Sequence, residues 1–100
     1  MAQIYFTIAG TQYRLGSDFM KKGMEVKLVK EPDNAYDREA IKVEMEGLGQ
    51  VGYVANSYKT VIGECYSAGR LYDKIGKKAK AKVHIVTDRG VICKIKIDDK

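Results

Sequence analysis

The sequence predicts a small, mostly β domain: an antiparallel barrel of about six strands with one α-helix. Three observations carry that expectation. Apolar and polar residues alternate with period two in short runs along the chain. A single segment, 56–68, has helical period instead. Gly, Asp and Asn cluster between the runs, where tight turns are needed.

The elements follow in order. Ile4, Phe6 and Ile8 alternate with Tyr5, Thr7 and Ala9 and end at Gly10, a first strand. Val26 and Leu28 flank Lys27 in a second. Ile41, Val43 and Met45 alternate with Lys42 and Glu44 in a third, and Gly47-Leu48-Gly49 turns the chain into a fourth at Gln50 to Val54. Tyr58, Ile62 and Tyr66 then recur at i, i+4 and i+8, which predicts a helix over 56–68. Asn56 or Ser57 is the expected N-cap and Gly69 the expected left-handed C-cap.

Two strands close the chain. Ala79, Ala81, Val83 and Ile85 alternate with Lys78, Lys80, Lys82 and His84, and Val91, Cys93, Ile95 and Ile97 alternate with Lys94 and Lys96. A two-residue turn at Asp88-Arg89 sets Val83 opposite Lys94, apolar against charged. A three-residue loop, Asp88-Arg89-Gly90, pairs Thr87 with Val91 and Val83 with Ile95, with Gly90 left-handed, and is therefore expected. Lys80, Lys82, His84, Lys94 and Lys96 then share the outer face of one hairpin.

One hundred residues, 45% hydrophobic, make one domain over 1–100 with enough chain to bury a core. The net charge of +5 is uneven. Residues 1–50 hold seven basic and eight acidic groups, and residues 51–100 hold eleven and five. Arg70 to Lys82 alone contains six basic groups against Asp73, so the whole surplus lies in thirteen residues. Such a field favours a polyanion, with nucleic acid ahead of an anionic membrane surface. Lysines on a hairpin's outer face also serve solubility and block edge-to-edge pairing, so the basic surface of Lys78, Lys80, Lys82, Lys94 and Lys96 has a structural reading beside the functional one. Tyr66 and Tyr72 are candidate stacking rings near it.

The N-terminus lacks a basic leader before an apolar core, and no apolar run approaches the roughly 20 residues of a membrane span. Cys65 and Cys93 are too few for a disulfide scaffold and fall at inward-facing positions. A cytoplasmic location and no membrane partner are expected.

Glu31-Pro32-Asp33-Asn34-Ala35-Tyr36-Asp37 is the densest segment. Pro32 fixes φ and Asp33 and Asn34 favour tight turns, so it is a rigid connector. A rigid loop presenting Tyr, Asn and Asp together also suits a nucleobase or a nucleotide hydroxyl.

Here the chain resembles the HIRAN domain family. Leu28-Val29-Lys30-Glu31-Pro32-Asp33-Asn34-Ala35-Tyr36-Asp37-Arg38-Glu39-Ala40-Ile41-Lys42-Val43 matches the family's L-V-x-E-P-x-N-x-Y-D-x-x-A-I-x-V. Gly10-Thr11-Gln12-Tyr13 precedes it and Gln50-Val51-Gly52-Tyr53-Val54 follows, so the likeness spans about residues 4–97. The resemblance implies a modified OB- or SH3-like barrel that binds DNA, as an accessory domain of helicase-like repair ATPases or as a stand-alone bacterial protein. It also implies recognition of single-stranded DNA at its 3′-hydroxyl end, in DNA repair or replication, with a helicase or nuclease supplied in trans.

Carried over, Tyr13 stacks on a terminal base, Tyr36 packs on the last nucleotide, Asp37 hydrogen-bonds the terminal hydroxyl and Asn34 shapes the loop. A carboxylate near DNA suits an uncharged hydroxyl, since a terminal phosphate is repelled. The end-binding members have Arg before the first aromatic, where this chain has Gln12. They place His and Lys around the helix start, where Tyr53 and Asn56 align. Arg14 and Lys59 stand close by in sequence.

No enzyme is expected. His84 is the only histidine and no Cys-x-x-Cys occurs, so a zinc site fails on ligand count. Neither cysteine has a His partner for nucleophilic catalysis. Pro32-Asp33 with Glu39 and Lys42 has two residues between Glu and Lys, where a metal nuclease needs one, and its carboxylates share one turn. No Gly-rich phosphate loop precedes a helix, and no cofactor is expected. The leading expectation is a non-catalytic DNA-binding module. A protein-interaction module using the barrel edge or the helix is the alternative.

Overall fold

Alternation in the first run leaves Phe6 and Ile8 facing one way, and the chain there forms β1 (Ala2–Ala9) with both side chains fully buried. The computed structural model describes residues 2–9, 21–57, 60–87 and 90–97. The other runs become β2 (Glu25–Lys30), β3 (Ile41–Met45), β4 (Gly49–Val54), β5 (Lys78–Thr87) and β6 (Gly90–Ile97). All neighbours are antiparallel, in the order β1-β4-β3-β2-β5-β6, closed by pairing of β1 with both β4 and β6. Among the described residues the observed fold is therefore mostly β, a closed six-strand barrel with one short helix.

Inward positions interdigitate in the lumen. Val26, Leu28, Ile41, Val43, Val51, Val83, Val91 and Cys93 join Phe6 and Ile8 there, all essentially inaccessible to solvent. The helix α1 (Ala68–Tyr72) adds Ala68 and Leu71 to the same core.

The helix sits later than the periodicity predicts. Ser67 is its N-cap, with Oγ accepting from the Arg70 amide at 3.3 Å, and Gly69 lies inside it rather than at a C-cap. Asn56 and Ser57 therefore cap no long helix. Residues 60–66 turn instead, with Gly63 at φ +56°. Tyr66 lies against β1 as a single bridge to Phe6, its amide donating to the Tyr5 carbonyl at 2.7 Å. The inward stripe is thus produced by a turn and a bridge, which place Ile62 and Tyr66 toward the barrel without continuous helix. Tyr58 lies outside the described residues.

The β5–β6 hairpin corrects a second expectation. Thr87 pairs with Gly90, leaving two residues between them rather than three. That connection alone would set Val83 against Lys94. A bulge between Val83 and Ile85 shifts the register by one, so Val83 pairs with Cys93, both on the buried face. Gly90 has φ +153°, far from the left-handed helical value and one that L side chains rarely adopt, and a Cβ there would lie 2.9 Å from the Ile8 carbonyl oxygen. Cys65 is half-buried, while Cys93 is fully buried and burial pushes its thiol up to about 12, the neighbouring Cys65 adding to the shift.

Candidate functional site

The signature segment joins β2 to β3, and its side chains tie it down from within. Glu31 donates its amide to the Ala40 carbonyl at 2.9 Å, which closes the loop at its base. Asn34 Oδ1 accepts from the Tyr36 and Asp37 amides at 2.8 and 3.0 Å, an Asx turn that Asn makes readily. Its Nδ2 donates to Glu31 Oε1 at 3.1 Å. The Tyr53 hydroxyl, from β4, donates to the same Glu31 oxygen at 2.9 Å, and Lys42 bridges Glu31 to Glu44 at 3.9 and 3.2 Å.

Asp37 connects the loop to the far side. Its Oδ1 accepts from the Glu39 amide at 2.9 Å, and its Oδ2 accepts from Asn56 Nδ2 at 2.9 Å. Asn56 Oδ1 in turn accepts from the Gly69 amide in α1 at 2.8 Å. A carboxylate offers about four lone-pair sites. Among the described residues only two of them are taken, by Glu39 and Asn56.

Between loop and barrel lies an open recess of about 530 Å³, lined by Asn34, Tyr36, Asp37, Tyr53 and Asn56 with Ser57 and Thr60 at one side and Ala9, Ala40 and Ala55 among its walls. Asp37 is the single charged residue among its described lining. Tyr36 stands at the rim with 99% of its surface exposed, so no described residue packs on its ring.

The sequence-selected residues Asn34, Tyr36, Asp37, Tyr53 and Asn56 thus meet at one place, although they come from two separate stretches of chain. Gln12, Tyr13, Arg14 and Lys59 lie outside the described residues. Ser57 and Thr60 line the recess without having been selected, and no pattern around them distinguishes them from ordinary loop residues. Glu31 was legible as part of the signature, but its role as the shared partner of the Asn34, Tyr53 and Lys42 side chains depends on the closeness of β4 and β3.

The basic residues gather elsewhere. Lys80, Lys82, Lys94 and Lys96 line a separate groove of about 330 Å³ with Gln3 and Glu25, on the outer face of β1, β2, β5 and β6. Lys78 is exposed on β5 outside that groove. His84, at the bulge, lies against Tyr5 with ring centroids 5.1 Å apart, its Nδ1 buried with no hydrogen-bond partner among the described residues. Tyr66 and Tyr72 each already have a cation over one face, Arg70 at 4.0 Å and Lys30 at 4.2 Å.

Among the described residues, no three of His, Cys, Asp and Glu stand together as a metal site, and no helix is long and apolar enough to cross a membrane. Comparison with curated proteins and with solved structures gave no match. The family model of the HIRAN domain matches residues 1–97. With that coverage, and with the signature loop and the barrel that carries it in view, the chain belongs to the HIRAN domain family, whose members are in general DNA-binding modules.

Proposed function

We propose that this domain is a non-catalytic module that holds single-stranded DNA by its 3′-hydroxyl end, in the setting of DNA repair or replication. One observation carries the reading: the recess presents a fully exposed aromatic ring beside a lone carboxylate, with no cation among its described lining. A phosphate-binding pocket needs the opposite electrostatics, since two anions in contact repel. A terminal nucleoside fits. Its base stacks on Tyr36, its 3′-hydroxyl donates to Asp37, and its neutral end meets no repulsion. Asn34 and Asn56 act by holding Asp37 and the Tyr36 backbone in place, and Tyr53 by holding Glu31. Gln12, Tyr13, Arg14 and Lys59 enter the proposal on the family likeness alone, as does a helicase or nuclease partner acting in trans.

The test is a titration by fluorescence anisotropy of one labelled strand ending in a 3′-hydroxyl, the same strand ending in a 3′-phosphate, and a blunt duplex, at two salt concentrations. The hydroxyl-ended strand should bind most tightly at both. Equal affinity for all three would overturn end recognition and leave charge-driven binding. Absence of binding at low salt would favour a protein partner.

A further inference from the structure

The lysines of the outer sheet face are arranged at a cost to the fold. In the register of β2 and β5, Lys27 stands directly opposite Lys80. In the register of β5 and β6, Lys82 stands directly opposite Lys94, and Lys96 lies one outward position further along β6. Like charges directly opposite on one sheet face destabilise it. Glu25, opposite Lys82, is the one carboxylate among the groove's described lining. Among the described residues, the ion pairs within 4.0 Å are those of Lys42, so these five lysines have no such partner. Protection of an exposed edge does not explain the arrangement, because the barrel closes and β5 and β6 are both paired on both sides.

The groove and the recess also share a strand. Gln3 lines the groove and Ala9 lines the recess, and odd-numbered β1 residues face outward between them. Six residues of strand at about 3.3 Å each separate the two by about 20 Å. The Tyr5 ring, tilted at 49° against His84 and opposite Lys94, lies along that line, and the turn carrying Ile62 covers Thr7 with a 3.1 Å bond from its amide.

From the paired lysines, the groove and its spacing from the recess, we infer that the groove is a second nucleic-acid contact, which takes backbone phosphates of the strand whose end occupies the recess. The inference rests on the recess reading for the strand's direction, and on its own charge geometry for the phosphate contact. A base-stacked strand rises about 3.4 Å per nucleotide along its axis, so a span of about 20 Å corresponds to about six nucleotides. Shorter strands reach only the recess. Longer ones reach the lysines as well.

The experiment measures affinity for hydroxyl-ended oligothymidylates of three to twelve nucleotides across a salt series, for the wild type, for Lys80→Gln/Lys94→Gln and for Tyr36→Ala. The lysine variant removes one member of each facing pair, so it should fold at least as stably as the wild type. Lys82→Gln/Lys96→Gln serves as a second variant. Wild-type affinity should rise sharply between about four and about eight nucleotides and then level off, a range that follows from the phosphate spacing. In the lysine variants that rise should flatten, and the slope of log affinity against log salt for the longer strands should fall by about 1.4, or about sevenfold between 50 and 200 mM salt. Tyr36→Ala should lower affinity at every length and keep the salt slope.

A lysine variant with the wild-type salt slope overturns the inference. So does a reduced slope with the length dependence intact, since the lysines then do not extend the recess. Lysine-dependent binding to phosphatidylserine vesicles without binding to the oligonucleotides assigns the face to membranes and also overturns it. If 3′-phosphate strands match 3′-hydroxyl strands while the lysine effect on salt slope persists, the recess reading fails and the phosphate contact stands.

Discussion

Asn56 donates its side-chain amide to Asp37 across 2.9 Å, and with its other atom receives the Gly69 amide at 2.8 Å. One exposed side chain therefore joins the signature loop to the first turn of α1. Neither bond is buried, so each contributes at the low end for a protein hydrogen bond. Asn56→Ala should lower stability by about 1 kcal/mol in urea denaturation. Asn56→Asp keeps the acceptor for Gly69 but sets a second carboxylate against Asp37, and should be the less stable of the two at neutral pH. Wild-type midpoints for both would show that the loop holds its shape without α1.

Gly90 and Gly69 should respond differently to the same substitution. At Gly90 a Cβ meets the Ile8 carbonyl oxygen at 2.9 Å, and the φ of +153° is one that an L side chain strains to adopt. Gly90→Ala should cost about 1–3 kcal/mol from the backbone strain alone. At Gly69 the nearest atom is Glu39 Oε1 at 2.7 Å, the far end of a flexible exposed chain that can swing aside. The helix gains from Ala over Gly, so Gly69→Ala should stay within about 1 kcal/mol of the wild type. Thermal or urea unfolding of both variants decides the pair. A larger loss at Gly69 would mean that Glu39 is fixed.

The strands were legible because their signal is local: alternation at Ile4-Phe6-Ile8 or Val91-Cys93-Ile95 needs no partner to be read. Register is not local. The Val83 pattern required it to avoid Lys94, and two solutions did that, a longer turn or a bulge. The barrel adopts the bulge, at His84, and nothing in the hairpin's own residues chooses between them. The segment 56–68 failed for a related reason. Spacing of Tyr58, Ile62 and Tyr66 fits a helix, but Gly63 takes a left-handed turn and the Tyr66 backbone pairs with β1, a contact more than fifty residues away in sequence. The recess followed the signature loop, since Asn34, Tyr36 and Asp37 are neighbours in the chain. Lys27 joins the basic face only through pairing of β2 with β5, which the order of strands along the chain does not reveal.

Cys93 gives the fold a measurable pH dependence. Burial raises its folded pKa from 9.0 to about 12, so the folded state keeps the thiol proton where the unfolded state has lost it. The stabilisation is therefore complete below the unfolded pKa and is lost as pH rises toward the folded one. Through that window stability should fall by about 1.4 kcal/mol per pH unit from this group. Other groups titrate there too, so the readout is the difference between the wild type and Cys93→Val, which should grow in the variant's favour with pH. Thiol reagents offer a second check. Half-buried Cys65 should react in the folded protein at pH 8, and Cys93 only on unfolding. Parallel stability curves for the two proteins would overturn the assignment.

Tyr36 separates binding from folding more cleanly than any other residue of the recess. Asn34 binds three partners, so Asn34→Ala weakens the loop itself and any lost DNA affinity would be ambiguous. Tyr36 contributes its backbone amide to that turn, and its side chain is 99% exposed. Tyr36→Ala keeps the amide and removes only the ring. Its unfolding midpoint should match the wild type, with any change within about 0.5 kcal/mol as for a surface substitution. Loss of one base–aromatic stack should weaken DNA binding by about 1–3 kcal/mol, roughly fivefold to more than a hundredfold. Tyr36→Phe keeps the ring and should retain most of the affinity. If alanine and phenylalanine bind alike, the ring is not a stacking surface. If alanine also unfolds the domain, the ring's exposure does not describe its role.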